Sequence, residues 1–396
     1  MKMNKFHHSI RRIAAVLIGI VFLVSGLLKL HDPVGTLLIV TSYLRFFHLG
    51  ALAAAAGVFG AVLALTEACL GAALVTGTFR RISAVLTEVL TAVFTLVTLI
   101  LLIANPEMDC GCFGEAIHLS HLQSFLKNLV LLVLTGLAFV PFGSFGEPAK
   151  RKYVSFCIMA LSFAVALGYN LGHLPTVDFT DFAVGNELQA SLDNDYQEDD
   201  GVFFAKVYRR DGQVGSFAGN RHPDSTWTFE RNDTLRHNTL AFGKRHPSLS
   251  FRDADGKYQD ELAVLGKVFV FSVPEPSKLS DGAWMDLFAR SEDIFASGGT
   301  PIVLTPDGDI PSYLSEYSYV ADYKTLITLN RSNGGLTYID NGFIAKKWHA
   351  RDLPDSGEIA SVASNDPVEV AVSYLNRGRI RASGFLLYLL ALLLLL

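Results

Sequence analysis

Charged residues are scarce in this chain. They make up 18% of its 396 residues, whereas a soluble globular domain carries about 25%. The net charge of −5 comes without a basic patch, so the composition does not indicate a nucleic-acid-binding protein. Apolar residues are concentrated before residue 175 and in the final run. The composition therefore indicates a helical membrane module in a lipid bilayer, followed by a water-facing domain of about 200 residues with its own core.

Cysteine is also rare, with four in the chain. Cys69 and Cys157 fall within predicted membrane helices, where a buried cysteine usually acts as a small apolar side chain. Cys110 and Cys112 stand one glycine apart in the loop "NPEMDCGCFGEAIHLSH". No cysteine follows Cys157, so the polar half of the chain contains no thiol that could exchange disulfides.

Five apolar runs are long enough to cross a bilayer, since a transmembrane helix needs about 20 mostly apolar residues. They are Ile13–Leu30, Leu52–Thr76, Ile82–Ala104, Leu126–Phe142 and Val154–Leu174. The basic start of the chain is also typical of a signal peptide, but no clean cleavage site follows, so we predict a retained helix. The final run, "GFLLYLLALLLLL", is short for a span and is compatible with a sixth helix, a half-inserted helix or a truncated end.

Lysine and arginine alternate between the predicted loops. They cluster at the N-terminus, at Arg80 and Arg81, and around Arg151, whereas the loop after the first helix holds Arg45 alone and residues 105–125 hold none. The positive-inside rule then places the N-terminus in the cytoplasm. It predicts an inner-membrane protein with the cysteine loop and residues 176–379 in the periplasm, where disulfides persist. Three arginines near the end oppose this pattern: Arg377, Arg379 and Arg381.

The polar half is predicted to be α/β. A β-rich region (176–263), with a hairpin turning at Asp211-Gly212, precedes a thioredoxin-like domain (264–358) with the order strand, helix, strand, hairpin. Its strands are "LGKVFVFSV" and "TPIVLTPDG", and its hairpin turns at Asp340-Asn341-Gly342. The turn where a redox motif would lie, "SVPEPSKLSDGAW", lacks cysteine, and Gly334 and Gly335 replace the usual proline. We expect a docking domain without chemistry, followed by a linker and the apolar segment (359–396).

Three motifs occur in order in the membrane half: "SGLLKLHDP", "LTEACLGAALVTG" and "DCGCFGEAIHLSHLQSFLKN". Together they resemble the DoxX-like and MauE-type membrane proteins over roughly residues 10–145. The resemblance implies a four-helix transmembrane bundle (1–150), to which this chain adds a fifth helix (151–175). MauE-type proteins are named for methylamine utilisation, and their bundle is compared with that of the vitamin K epoxide reductases. The resemblance therefore implies redox work on periplasmic thiols, with a quinone as a candidate partner. It does not by itself imply that this chain takes part in methylamine metabolism.

Cys110 and Cys112 have three interpretations. A disulfide between them would close a small, strained ring, and strained, exposed disulfides are the labile, catalytic ones. Gly111 would supply the backbone freedom that such a ring requires. The acidic neighbours Glu107, Asp109 and Glu115 oppose a reactive thiolate, which is compatible with a slow or client-dependent thiol pair or with a stable disulfide that shapes the loop.

The third interpretation is a metal site. Cys110, Cys112, His118 and His121 could supply four ligands to a tetrahedral zinc. Their spacings, C-x-C and H-x-x-H, are tighter than those of ordinary zinc motifs.

Polar residues within the membrane half are further candidates. Glu67 lies in the middle of a predicted span, where a carboxylate is costly and often functional; it could relay protons to a quinone or make a structural hydrogen bond. Lys29, together with His31 and Asp32, is expected to anchor the rim by reaching towards water, with a thiolate partner as the alternative. Small residues around Gly71 predict close helix contact: Ala68, Gly71, Ala72 and Gly77.

Two functions follow from these features. The first is a membrane thiol–disulfide redox protein with Cys110 and Cys112 as the exchanging pair, Glu67 assisting, and periplasmic client thiols as substrates. The second is a non-enzymatic membrane adaptor whose polar domain binds a partner, with the cysteines structural or metal-binding.

Overall fold

The computed structural model describes residues 2–106, 108–139, 150–189, 202–210, 213–218, 228–236 and 247–394. The membrane half contains six helices in these residues: α1 (Lys2–His31), α2 (Pro33–Phe46), α3 (Ala56–Thr76), α4 (Arg80–Ala104), α5 (His121–Phe139) and α6 (Lys150–Asn170). A short 3₁₀ helix, Gly50–Ala55, precedes α3, and a short strand, β1 (Cys112–Glu115), lies between α4 and α5.

Five helical segments of the described residues are long and apolar enough to span a membrane, as predicted. They are Ser9–His31, Gly50–Thr76, Arg80–Ala104, His121–Phe139 and Lys150–Asn170. The chain is therefore a multi-pass membrane protein. The segment predicted as a loop after the first span instead contains α2, which at 14 residues is too short to cross a bilayer. Asp32 starts this helix, because its side chain accepts a hydrogen bond from the Gly35 backbone N–H at 2.8 Å.

The predicted small-residue face brings α1 and α3 together. A side chain at Gly71 would collide with the backbone of Leu23, and one at Gly26 would collide with the backbone of Ala68. The two helix backbones are thus close enough that only small residues fit at the crossing, which is how helices pack in membranes. This contact places Glu67 of α3 against α1.

The polar domain, residues 176–379, contains two sheets in its described parts. The strands β2 (Val202–Arg210), β3 (Gln213–Ala218) and β4 (Thr228–Arg236) form an antiparallel sheet in the order β3-β2-β4. The predicted hairpin strands therefore pair, and the Asp211-Gly212 turn lies outside the described residues. The second sheet has the order β7-β6-β5-β8-β9 and consists of β5 (Lys267–Ser272), β6 (Thr300–Thr305), β7 (Ser318–Val320), β8 (Gly335–Asp340) and β9 (Phe343–Trp348).

The second sheet has the predicted succession of strand, helix, strand and hairpin. Strands β5, β6 and β7 are parallel, and β8 and β9 are antiparallel to their neighbours. Helices accompany them: α7 (Glu261–Val264), α8 (Asp281–Ala296), α9 (Tyr323–Leu329) and α10 (Ser356–Ser364). Both faces of β5 are buried, since Phe269 packs with residues of α8 and Val270 packs with residues of α9. The core also takes in Leu249 and Phe251, which precede the predicted domain start at 264.

The final apolar run is the end of a long helix, α11 (Pro367–Leu394), of 28 residues. Leu389 is buried in one cluster with Met159 and Phe163 of α6. The Tyr388 hydroxyl lies 3.0 Å from the Ser162 hydroxyl. The run therefore packs against the fifth span as part of a helix, but this helix is not among the candidate spans.

Candidate active site

The two cysteines lie in the CGC loop (residues 105–120), at the end of the bundle that faces the polar domain. Cys110 is buried, with 5% of its surface exposed, and Cys112 is half-buried. The thiols are not linked to each other. The Tyr43 hydroxyl of α2 donates a hydrogen bond to the Cys110 carbonyl at 2.7 Å, so the missed helix α2 forms one wall of the site.

Gly111 fits the CGC loop against α2. Its φ angle is +60°, and a side chain there would collide with Ile39. The predicted need for glycine between the cysteines thus has two causes, a left-handed backbone and a close approach to a helix.

Gly111→Ala should therefore destabilise the protein by about 1–3 kcal/mol more than Gly114→Ala does. Gly114 is the matched control, because its φ is +61° but an added Cβ would meet no atom within 4 Å. Unfolding in detergent, followed by circular dichroism, gives both values. Equal losses in the two variants would show that contact with Ile39 does not constrain the loop.

His121 is the close partner of Cys110. The Cys110 Sγ lies 3.1 Å from the His121 Nδ1. The Nε2 of the same ring lies 3.0 Å from the Pro106 carbonyl oxygen. Because a carbonyl can only accept, Nε2 carries the ring proton and Nδ1 presents its lone pair to the thiol. This arrangement, a thiol beside a base that a third group orients, is the one that activates a nucleophilic cysteine.

The surroundings of Cys110 act on its thiol in both directions. Burial raises the pKa of Cys110, the side chain of Ser124 lowers it, the neighbouring Cys112 and Asp109 raise it, and Lys127 lowers it. At rest the thiol is therefore protonated, and a base is required to make it nucleophilic. His121 supplies that base at hydrogen-bonding distance.

Sequence reasoning assigned His121 only to a metal site and missed this pairing. The segment "SHLQ" contains a signal that bears on it. Ser120 and Gln123 form a capping box, in which the Gln123 N–H donates to the Ser120 hydroxyl at 3.2 Å and the Ser120 N–H donates to the Gln123 side chain at 3.0 Å. The box starts α5 at His121, five residues before the predicted start at Leu126, and places the imidazole next to the loop.

The zinc interpretation does not match the geometry. His118 is exposed and lies 3.8 Å from Asp109 and 3.8 Å from Glu115, whereas His121 contacts Cys110. No group of three or more metal-binding side chains occurs among the described residues. The structure therefore does not assemble the predicted set of Cys110, Cys112, His118 and His121.

Lys29 and Glu67 form a buried ion pair beneath Cys112. The Lys29 Nζ lies 2.6 Å from the Glu67 Oε2, and the exposed fractions of the two residues are 5% and 2%. The prediction that Lys29 anchors the rim in water is wrong. The close contact of α1 with α3 holds it beside Glu67, where a buried charge needs a partner of opposite sign.

Ser25 completes this network and ties it to the CGC loop. Lys29 donates to the Ser25 hydroxyl at 2.8 Å and to the Cys112 carbonyl at 3.0 Å. The Ser25 hydroxyl lies 2.6 Å from both Glu67 and the Cys112 carbonyl, and its single proton can serve one of them at a time. The Lys29–Glu67 pair and Ser25 therefore hold the backbone of Cys112 in place.

A cavity of about 300 Å³ adjoins both cysteines and this network. Its walls are mainly apolar side chains of α1, α2, α4 and α5, including Phe22, Ile39 and Val97. The few polar groups that line it include Lys29, Asn128 and both cysteines. A cavity of this size and composition is typical of a small-molecule site.

The polar domain contacts the CGC loop through Arg331, which lies just before β8. Its Nη2 lies 2.9 Å from the Asp32 carboxylate and 3.7 Å from the Glu115 carboxylate. Burial raises the pKa of Glu115 and Arg331 lowers it. Within the polar domain itself, the Lys347 ammonium lies 2.7 Å from the Asp178 carboxylate. His31, expected at the rim, lies 2.9 Å from the Val177 carbonyl oxygen, so all three predicted rim residues are engaged in contacts within the protein.

A protein-family model matches the membrane half of the chain. The model of the family "methylamine utilisation protein MauE" matches residues 8–141. This stretch contains Glu67, Cys110, Cys112 and His121, and it leaves the polar domain unmatched. A comparison with curated proteins found no match.

Proposed function

Since residues 8–141 form a MauE-family domain, we propose that this chain is a membrane thiol–disulfide redox protein that uses Cys110 and Cys112. The observation that carries the proposal is the contact of 3.1 Å between the Cys110 thiol and His121. A structural disulfide needs no base, whereas a cysteine that alternates between thiol and disulfide does.

The first half-reaction is exchange with a client dithiol. A client thiolate attacks the sulfur of Cys112, the more exposed of the pair, and the Cys110–Cys112 bond breaks as a mixed disulfide forms. Cys110 leaves as a thiolate and takes a proton from the His121 imidazolium. The second client thiolate then attacks the client sulfur of the mixed disulfide, and Cys112 leaves. The client has lost two electrons and the cysteine pair has gained them.

The second half-reaction restores the disulfide. A quinone bound in the cavity would accept two electrons and two protons. Apolar residues of α1, α2 and α4 would surround its ring, and Lys29 and Asn128 are among the polar groups that line the cavity. Both already donate to protein partners, Lys29 to Ser25, Glu67 and the Cys112 carbonyl, and Asn128 to the Phe94 carbonyl and Thr98. As the Cys110–Cys112 bond forms, the two thiols together lose two electrons and two protons, and His121 would take the proton of Cys110. The Lys29–Glu67 pair, which lines the same cavity, is placed to pass protons to the reduced acceptor.

The membrane location of this chemistry follows from the sequence. The loop charges support a cytoplasmic N-terminus in an inner membrane, with the CGC loop and the polar domain in the periplasm. Client thiols then meet the cysteines on the oxidising side.

We assign the polar domain a thioredoxin-like fold and a docking role. The parallel pair β5–β6 next to the antiparallel hairpin β8–β9 supports this assignment. The turn before β8 carries Arg331 to the CGC loop, and the region between β5 and α8 has no cysteine. The domain would then position the loop or a client and would not exchange electrons itself.

Removing Cys110 should trap a client. In Cys110→Ala the half-buried Cys112 can still form a mixed disulfide with an oxidised client, but Cys110 is no longer present to attack Cys112 and release the client. A client that keeps only one cysteine also lacks the second thiol that would release it. A higher-mass species that reductant dissolves should accumulate on gels run without reductant. Cys112→Ala should trap much less, because Cys110 is buried.

The control is Cys157→Ala, which removes an exposed thiol of α6 far from the loop in sequence and should behave like the unaltered protein. If neither Cys110→Ala nor Cys112→Ala traps a client and client oxidation continues at its normal rate, the redox proposal is wrong. The adaptor function, which the Arg331 contact favours, would then take its place.

A further inference from the structure

A second cavity lies between α1, α6 and α11, away from the cysteines. Its volume is about 680 Å³, within the range of ligand sites. Most of its wall is apolar and at membrane depth, with Leu161, Val165, Phe385 and Leu386 as examples. Polar residues line the end nearest the polar domain, and Arg381 is among them. The cavity is therefore amphipathic, with one cation at its polar end.

Most polar side chains of this cavity already have protein partners. His31 contacts Val177 at 2.9 Å, the Asn170 amide donates to the Leu30 carbonyl at 2.8 Å, and Tyr388 meets Ser162. Arg381 is exposed, and none of the ion pairs found among the described residues includes it. Its charge is thus available to a ligand at the cavity mouth.

The position of Arg381 explains an anomaly of the sequence. Arg377, Arg379 and Arg381 lie on the side of the bundle where the charge alternation predicts few cations. A guanidinium binds phosphate oxygens in a bidentate geometry. At a membrane surface, cationic side chains attract anionic lipid headgroups.

We propose that this cavity binds one anionic phospholipid, with its phosphate on Arg381 and an acyl chain between α6 and α11. An uncharged quinone would leave Arg381 without a counter-charge, and inorganic phosphate would leave the apolar walls empty. The bound lipid extends the contact of α11 with α6, where Leu389 packs beside Met159 and Phe163. This site is independent of the proposed redox function.

The test uses the full chain purified in mild detergent and offered vesicles of phosphatidylglycerol or of phosphatidylcholine. Native mass spectrometry should show one phosphatidylglycerol retained per chain and little phosphatidylcholine. Arg381→Gln should weaken phosphatidylglycerol binding about fivefold, because one surface arginine is worth roughly that much. Arg379→Gln is the matched control, since Arg379 lies on the same helix but does not line the cavity, and it should bind normally.

A second pair of variants tests the acyl-chain part. Ala166 lines the cavity, whereas Ala164 is exposed and does not. Ala166→Trp should abolish retention, and Ala164→Trp should leave it intact. Equal retention of the two lipids, equal weakening by Arg379→Gln and Arg381→Gln, or unchanged retention in Ala166→Trp would each overturn the proposal. Full displacement of the lipid by inorganic phosphate would show a phosphate site rather than a lipid site.

Discussion

Replacing His121 with asparagine should slow reoxidation of the cysteine pair by about 10²–10⁴-fold, the range that a positioned general base contributes. The thiol beside it is buried, and burial raises the pKa of Cys110. Without the imidazole, little thiolate forms near neutral pH. Repeated oxidation of a model dithiol peptide by the purified full chain in the presence of a soluble quinone, followed by the loss of free thiols, measures the effect.

The pH dependence of the reoxidation rate distinguishes a base from a residue that only supports the loop. In the unaltered protein the reoxidation step, in which His121 takes the proton of Cys110, should reach its full rate below the pH at which Cys110 ionises unaided. In His121→Asn the rise should move to higher pH, because it then follows the ionisation of Cys110, whose pKa is raised. A loss of rate with an unchanged pH profile would show that His121 supports the loop and does not act as a base.

His118→Asn is the matched control. His118 stands three residues earlier in the same loop, is exposed, and lies near Asp109 and Glu115 rather than near a thiol. Its replacement should change neither the rate nor the profile by more than about twofold, because an exposed pair of charges contributes little. If both histidine variants lost activity together with bound zinc, the metal interpretation would be correct after all.

The length and period of apolar runs made most of the membrane fold predictable. A span of about 20 apolar residues has few alternatives, so five candidate spans emerge from the sequence with small errors at their ends. The short helix α2 was not predicted, because a 14-residue segment that begins with a proline and contains Arg45 is compatible with a loop at the rim. Its position depends on contacts, such as that of Tyr43 with the CGC loop, which no local pattern records.

The candidate site was predictable in its residue types but not in its pairings. Cys110, Cys112 and Glu67 stand out because thiols one residue apart and a carboxylate at membrane depth are unusual. The partners of Cys110 and Glu67 come from distant segments or across a turn: Lys29 lies 38 positions before Glu67, and His121 lies 11 positions after Cys110. Sequence spacing does not determine which side chains meet when helices pack, so Lys29 was assigned to the rim and His121 to a metal.

Arg331 shows the same limit at the scale of domains. The polar domain was predicted to be without chemistry, because it has no cysteine. Its contact with the CGC loop depends on how the turn before β8 meets Asp32 and Glu115. Predicting two domains separately does not predict the interface between them. That interface brings the Arg331 guanidinium within 3.7 Å of the carboxylate of Glu115, three residues after Cys112.

Breaking the Lys29–Glu67 pair should have the largest effect on stability. Lys29→Met leaves the Glu67 carboxylate buried without its cation, and Glu67→Gln leaves the Lys29 ammonium without its anion. Each single change should cost about 3–5 kcal/mol, because an unpaired buried charge is far more costly than a missing pair. Unfolding of the full chain by denaturant in mixed micelles provides the free energies.

The double variant Lys29→Met/Glu67→Gln should recover most of that loss, since it removes both charges and leaves two uncharged side chains of similar size. The matched control is Lys346 and Glu358, whose charged atoms are also 2.6 Å apart but whose side chains are 20% and 42% exposed; its single variants should cost about 1 kcal/mol or less. The coupling energy is the difference between the loss in the double variant and the sum of the losses in the two single variants. If it is no larger for Lys29 and Glu67 than for Lys346 and Glu358, the two residues do not form a buried charge pair in the membrane. The double variant also tests where the pair acts. If it folds stably and exchanges disulfides with a client at the normal rate but is reoxidised more slowly, the pair acts at the acceptor side of the site. Lys29 is placed for that role, since it contacts the Cys112 carbonyl at 3.0 Å and lines the same cavity as both thiols.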